Sequence, residues 1–305
     1  MFAKSRCESE ELMFFKYLYF RMTLSDKELS YYLTLKKGYE GEKRFDQWLE
    51  KLSSDCLILN DLLFEYNNNV FQIDSLVLTS NIIHFFEVKN FEGDYYIENE
   101  KWYSLNGKEI KNPMLQLNRN TSLFRRILQD LGISIPIKPH LIFVNPNFYL
   151  YHAPVDLPIT FPPQIDRLIT SINMTPSNVN SKHMKLVNQL LSMHMKKSPF
   201  MRIPNYTFEQ LRKGITCAHC HSFIQGYKKA LIICTKCGFR EKIASAIVRC
   251  VEEYSFLFPE RKITSKSIHE WCEIPSSKTV QAVLSTNFKQ IGNRRSSYYV
   301  SKNNQ

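Results

Sequence analysis

Glycine is scarce in this chain of 305 residues, with nine, and no two fall at the spacing of a dinucleotide-binding or phosphate-binding loop. Dinucleotide enzymes and P-loop ATPases that follow those fingerprints are thereby disfavoured. Long apolar runs are also missing. The most hydrophobic early stretch, Leu12 to Met22, is interrupted by Lys16 and Arg21, and no small-residue cleavage site follows it. The acids Glu8, Glu10 and Glu11 before it are wrong for a signal peptide. A cytoplasmic protein without a membrane span is expected, so the cysteines are read as thiols or metal ligands rather than disulfides.

Acid is scarce in one place only. The chain carries a net charge of +11, yet residues 1–199 hold 23 basic and 22 acidic side chains, whereas residues 200–305 hold 17 and 7. The excess belongs to the last third, as expected where one module carries affinity for a polyanion such as nucleic acid.

The patterning predicts five segments. Residues 1–36 read as a helical N-terminal arm, with Ser25 able to cap a second helix running into Tyr31–Leu35. Residues 37–170 read as a mixed α/β domain. A helix is expected over 41–52, strands at 56–64, 70–78 and 82–89, and a further strand or hairpin over 94–105. Asn112-Pro113 opens a helix to about Leu128, and a buried strand lies at 141–144. Residues 145–163 read as irregular connection. Residues 171–212 read as a helical linker, 213–240 as a zinc ribbon and 241–305 as a basic helical domain.

If Ser80-Asn81 is a two-residue hairpin turn, Asp74 falls opposite Glu87, and Lys89 shares the face of Glu87. Carboxylates and a lysine amid apolar strands are costly to bury unless a hard divalent cation resolves the conflict. On spacing alone the same residues also fit the solvated face of an exposed hairpin.

The pattern Asp74, then Glu87-Val88-Lys89, resembles the catalytic signature of the PD-(D/E)xK restriction-endonuclease-like superfamily. Its neighbours resemble the nuclease-related domain (NERD) family more specifically. They are Gly38-Tyr39-Glu40-Gly41-Glu42, Gln72-Ile73-Asp74, Glu87-Val88-Lys89-Asn90 with Gly93, Trp102, and Asn112-Pro113 with Gln116. The resemblance implies a restriction-endonuclease-like mixed sheet flanked by helices. It implies Mg²⁺ or Mn²⁺ on Asp74, Glu87 and the Val88 carbonyl, with Lys89 as the catalytic lysine and Glu42 and Gln116 in support. The reaction implied is phosphodiester hydrolysis by metal-activated water, on DNA; the alternative is a DNA-binding or regulatory protein that keeps the nuclease fold with little activity. An RNA-directed protein is a third reading, although no RNP-like motif occurs.

Cys217-x2-Cys220 and Cys234-x2-Cys237, thirteen residues apart, have the spacing of a tetrahedral sulfur site for structural Zn²⁺. His219 and His221 read as bystanders, and Cys7, Cys56, Cys250 and Cys272 as isolated packed thiols. Beyond them, three helices and a final strand resemble a winged helix-turn-helix, with Ser277, Lys278 and Gln281 on the recognition helix and Arg294 and Arg295 on the wing as nucleic-acid contacts.

Overall fold

The computed structural model describes residues 1–228, 231–274, 276–292 and 297–302. Arg294 and Arg295 lie outside the described residues, as does Pro275 of the expected turn. The chain runs β1 (Phe2–Lys4), α1 (Glu10–Arg21), α2 (Asp26–Leu49), β2 (Leu57–Tyr66), β3 (Asn69–Leu78), β4 (Ile83–Lys89), β5 (Gly93–Glu98), β6 (Lys101–Ser104) and β7 (Glu109–Ile110). It continues through α3 (Pro113–Asp130), β8 (Ile137–Phe143), β9 (Phe148–Tyr151), β10 (Ile159–Thr160), α4 (Ile165–Asn173) and α5 (Ser181–Met193). Last come β11 (Tyr227–Lys228), β12 (Leu231–Ile233), β13 (Arg240–Lys242), α6 (Ile243–Leu257), α7 (Ser265–Cys272), α8 (Ser277–Asn287), β14 (Phe288–Ile291) and β15 (Tyr298–Ser301). Two compact units result, one of residues 1–10 and 33–201, the other of residues 11–32 and 202–305.

The first unit is built on a six-stranded mixed sheet in the order β1-β2-β3-β4-β8-β10. The β2–β3 and β3–β4 pairs are antiparallel, whereas β8 joins β4 in parallel. Both faces are covered, which is why its strands read as nearly continuous apolar runs. One face packs Ile58, Val77, Phe86 and Ile142 against Phe45 and Leu49 of α2 and Ile165 and Ile169 of α4. The other packs Leu59, Leu76, Leu78 and Phe85 against Leu117 and Phe124 of α3 and Leu186 and Leu190 of α5. Each such side chain contributes roughly 1.5–3 kcal/mol by leaving water. A smaller sheet, β7-β6-β5-β9, sits beside this core, with Trp102 of β6 buried in it.

Three expectations need correction. The helices read separately over 25–35 and 41–52 are one continuous α2, because Gly38 and Gly41 lie inside the helix rather than breaking it. A Cβ at Gly41 would stand 2.5 Å from the Cβ of Asn90, so glycine here admits the close approach of α2 to the end of β4. Residues 145–163, read as irregular, contain β9 and β10, which pair in parallel with β5 and β8. Finally, the last residue of the expected third helix, Phe288, begins β14 instead. Other signals were literal: Ser25 and Glu28 form a reciprocal cap on α2, and the Asn112 side chain caps α3 by accepting from the Met114 amide at 2.9 Å.

In the second unit, β11-β12-β13 form a small antiparallel sheet that leads into α6, α7 and α8 and the β14–β15 hairpin. Trp271, Tyr254, Phe208 and Phe258 form its aromatic core. Helix α1 belongs to this unit. Arg21, 2% exposed, makes a two-pronged ion pair with Glu253 of α6 at 2.6 and 2.8 Å and lies 4.0 Å over the Trp271 ring. Among the described residues, no helix is long and apolar enough to cross a membrane.

Candidate active site

The β3–β4 hairpin has the register expected of a two-residue turn: Leu78 pairs with Ile83, Val77 with His84, Leu76 with Phe85 and Ser75 with Phe86. The next position brings Asp74 to the level of Glu87, and there the ladder gives way to a side chain. The Val88 amide donates to Asp74 Oδ2 at 2.7 Å. The other edge of Asp74 is interrupted too. Asn60 pairs with Ser75 and Leu62 with Ile73, but Asp61 between them adopts a left-handed conformation, with φ +53°.

The carbonyls freed by this opening are taken by cations from residues 4–6. Lys4 Nζ donates to the carbonyls of Asn60 and Asp61, each at 2.8 Å. Arg6 donates to the Asp74 carbonyl at 2.7 Å and to Ser75 Oγ at 3.0 Å. The same guanidinium grips Asp46 with two bonds, at 3.0 and 3.1 Å, and Glu42 with one at 2.5 Å. Both acids are carried by α2, four residues apart on one helical face.

Glu87 and Lys89 occupy the same face of β4, as alternation requires. Lys89 Nζ donates to Glu87 Oε1 at 2.6 Å and to Gln116 Oε1 of α3 at 3.2 Å. The other Glu87 oxygen, Oε2, is buried and has no hydrogen-bond partner in the protein. So Asp74, Glu87, Lys89 and Gln116 come together, and Glu42 stands close enough to Asp74 for mutual repulsion.

This setting controls protonation. Burial, reinforced by the charge of Asp74, pushes Glu87 up to about 8 and Glu42 up to about 8. Burial raises Asp74 as well. Burial alone would lower Lys89, but Glu87 and Asp74 outweigh it and hold the amine above its ordinary value, so it remains an ammonium at neutral pH.

Sequence reasoning missed Arg6. It lies in an unpatterned stretch with no helical or strand period, and only the fold reveals that its side chain, 2% exposed, ends among these acids. Lys4 escaped notice for the same reason, whereas Asp46 and Asp61 lie within the helix expected over 41–52 and the strand expected over 56–64, where nothing marks them from other polar residues.

The four cysteines of the second unit form a distinct centre. Among the described residues they form a group of metal-ligating side chains whose donor atoms all lie within 4.8 Å of one another. Cys217 Sγ lies 3.7 Å from Cys237 Sγ, and Cys220 Sγ 3.5 Å from Cys234 Sγ. These separations far exceed a disulfide bond and approach the edge of about 3.8 Å in a tetrahedron with metal–sulfur bonds of about 2.3 Å. The two knuckles repeat each other. His221 and Gly238, each just after a second cysteine, have φ of +57° and +73° and donate their amides to the carbonyls of Cys217 and Cys234 at 3.0 and 2.9 Å. His219 stacks on Phe239 and His221 on Phe20. A bond with the Ser222 hydroxyl lowers Cys234 to about 6, whereas burial and bonds with the other three cysteines raise Cys237 to about 12.

Of the remaining cysteines, Cys56, Cys250 and Cys272 are buried, whereas Cys7, expected to be packed, is exposed. Cys250 and Cys272 are not isolated either, for their thiols are hydrogen-bonded to each other. On α8, Ser277, Lys278 and Gln281 are exposed while Val280, Val283 and Leu284 are buried.

No curated protein and no solved structure matches the chain. A family model does match, that of the nuclease-related domain, over the segment that carries β2 to β8, the C-terminal part of α2, and all of Glu42, Asp74, Glu87, Lys89 and Gln116. Residues 37–144 of this mixed α/β chain match the family model of the nuclease-related domain.

Proposed function

We propose that this protein is a metal-dependent nuclease that hydrolyses DNA phosphodiester bonds, with its basic second unit holding the substrate. The observation that carries the reading is the union of Asp74, Glu87, Lys89 and Gln116 at the interrupted β3–β4 ladder, inside the nuclease-related segment. The buried, unpartnered Glu87 Oε2 fits a hard cation, since its desolvation is otherwise uncompensated. Two carboxylates, completed by solvent or phosphate oxygens, are a donor set that Mg²⁺ or Mn²⁺ accepts, and the Val88 carbonyl is a candidate third oxygen. Such an ion, when bound, supplies Lewis-acid stabilisation of the phosphate and a nucleophile at neutral pH.

The protein groups divide the rest of the work. Lys89, an ammonium with only protons to donate, steadies negative charge on the scissile phosphate and orients the attacking oxygen. Gln116 fixes the lysine from α3, and the Val88 amide fixes Asp74 so that its second oxygen is free to bind.

Zinc is the metal proposed for the four cysteines, because an all-thiolate set at two knuckles is a structural zinc site with no open position. The order α6, α7, α8 and β14–β15, with a bridge from Ile263 to Tyr299, supports a winged helix-turn-helix. Exposed Ser277, Lys278 and Gln281 on α8 would then face DNA, and the net +10 of residues 200–305 supplies attraction to phosphate.

Incubation of the purified chain with double- and single-stranded DNA and with RNA, in Mg²⁺ or Mn²⁺, tests the proposal beside D74A and K89A. Metal-dependent cleavage of DNA that falls at least 100-fold in both variants is expected. Cleavage surviving both substitutions overturns the site. Salt-sensitive DNA binding without cleavage favours a DNA-binding protein on a nuclease fold, and cleavage confined to RNA overturns the choice of substrate.

A further inference from the structure

Resting on the nuclease reading, we infer that Arg6 is the centre's built-in cation: it takes the place between Glu42 and Asp74 that a second divalent ion would need, so the site works with one metal ion on Asp74 and Glu87.

Three acids near one another leave open whether one or two ions bind. The geometry separates them into two sets. Glu42 is bound at 2.5 Å by a guanidinium that also holds both oxygens of Asp46 and the backbone carbonyl of Asp74. Arg6 thus holds Glu42 and Asp46 of α2 and clamps the backbone of the metal-binding aspartate in one step. Its planar fork suits this role, and its charge is permanent. Glu87 lies on the other side of the division, with Oε1 on Lys89 and Oε2 unpartnered.

For a second ion to use Glu42, Arg6 would have to leave. Its side chain is 2% exposed, and withdrawal of its carboxylates would strand a buried guanidinium, one of the costlier changes a fold can suffer. Lys4 anchors the approach to Arg6, donating to two carbonyls at the edge of the same opening. Glu42 and Asp46 are consequently positioning residues. They hold Arg6, which holds the Asp74 backbone and offsets acid charge that would otherwise repel the phosphate.

The test is the stoichiometry of Mn²⁺ binding to the full chain, its cysteines saturated with zinc, measured by calorimetry and by the electron paramagnetic resonance of free Mn²⁺. Wild type should bind one Mn²⁺, and D74N should bind none. R6Q, which removes the charge and opens Glu42, should bind two. R6Q/E42Q should return to one, and it relieves the uncompensated acid should R6Q fold poorly. Two ions on wild type, or one on a folded R6Q, overturns the role of Arg6 and leaves the nuclease reading standing. No ion on wild type overturns the metal-site reading, and this inference with it.

Discussion

Asp61 and Asp74 occupy facing positions on β2 and β3, and the ladder opens between them: the pairs on either side, Asn60 with Ser75 and Leu62 with Ile73, are in register. The left-handed backbone of Asp61 turns its peptide out of the sheet, and the Asp74 carbonyl is released to Arg6. The interruption is therefore part of the site rather than a flaw in the sheet.

That geometry predicts an order of stability at position 61. Replacing Asp61 by glycine or by alanine removes the same bond from Gln72 and the same charge beside Asp74. Only alanine must then be held in the left-handed region, at a cost of roughly 1–2 kcal/mol. D61G should be the more stable in urea titration by about that amount. Equal midpoints would mean that the backbone at 61 relaxes and that the opening does not depend on it.

Without a divalent cation, stability should fall as pH rises from about 6.5 to about 8. Glu42 and Glu87 keep protons in the folded chain up to about 8, whereas in the unfolded chain they ionise near their ordinary 4.5. The folded state thus binds more protons across that window, and its advantage is lost as pH passes through the folded values. Below 6.5 a second effect opposes the first. His84 and His140, buried and sharing a contact of 3.1 Å, are lowered by burial to about 4 and about 3, so acid favours the unfolded chain. Melting temperatures in chelator at half-unit pH steps should show the decline above 6.5, and E87Q should flatten it. Mg²⁺, which favours the ionised carboxylates, should raise the melting temperature most at pH 8. A rise with pH in chelator would contradict the assignment.

The central hairpin was readable because its information is local: a two-residue turn plus alternation places Glu87 opposite Asp74 and Lys89 beside it. The cysteine spacing was equally explicit. Arg6 was not readable, since its role depends on pairing between residues 2–4 and β2, more than fifty positions away, and a tripeptide strand leaves no periodicity. Helix α2 misled for a different reason. Glycine usually marks a break, but Gly41 serves a close approach to Asn90 that only tertiary packing explains. Likewise α1 reads as a plain amphipathic arm, and nothing in its pattern announces that Arg21 is buried against Glu253.

Metal removal should affect the second unit selectively. C217S should lower zinc from one ion per chain to none, because three thiolates leave an open, weaker site. Hydrogen exchange should then become fast at the amides of His221, Cys234 and Gly238, whose bonds define the knuckles. Amides of β3 and β4 should keep their protection. Retention of one zinc per C217S chain would show that the four thiols are not the ligands.

The Arg21–Glu253 pair makes the sharpest stability test in the second unit. Arg21 also donates to the carbonyls of Arg212 and Gly214, at 2.7 and 3.2 Å, so one guanidinium ties α1 to α6 and to the segment before the cysteines. R21M leaves Glu253 as a buried, unpaired carboxylate, at a cost of about 3–5 kcal/mol, to which the loss of the donor to the two carbonyls adds. R21M/E253L removes both charges and fills the space with apolar atoms, so much of the loss should return. The two carbonyls still lack donors in the double variant, and recovery should stop short by about 1–3 kcal/mol for each one left unsatisfied. Urea titrations of the three chains give these differences directly. A double variant as unstable as R21M would place the cost in the lost carbonyl bonds and ring contact rather than in the stranded charge.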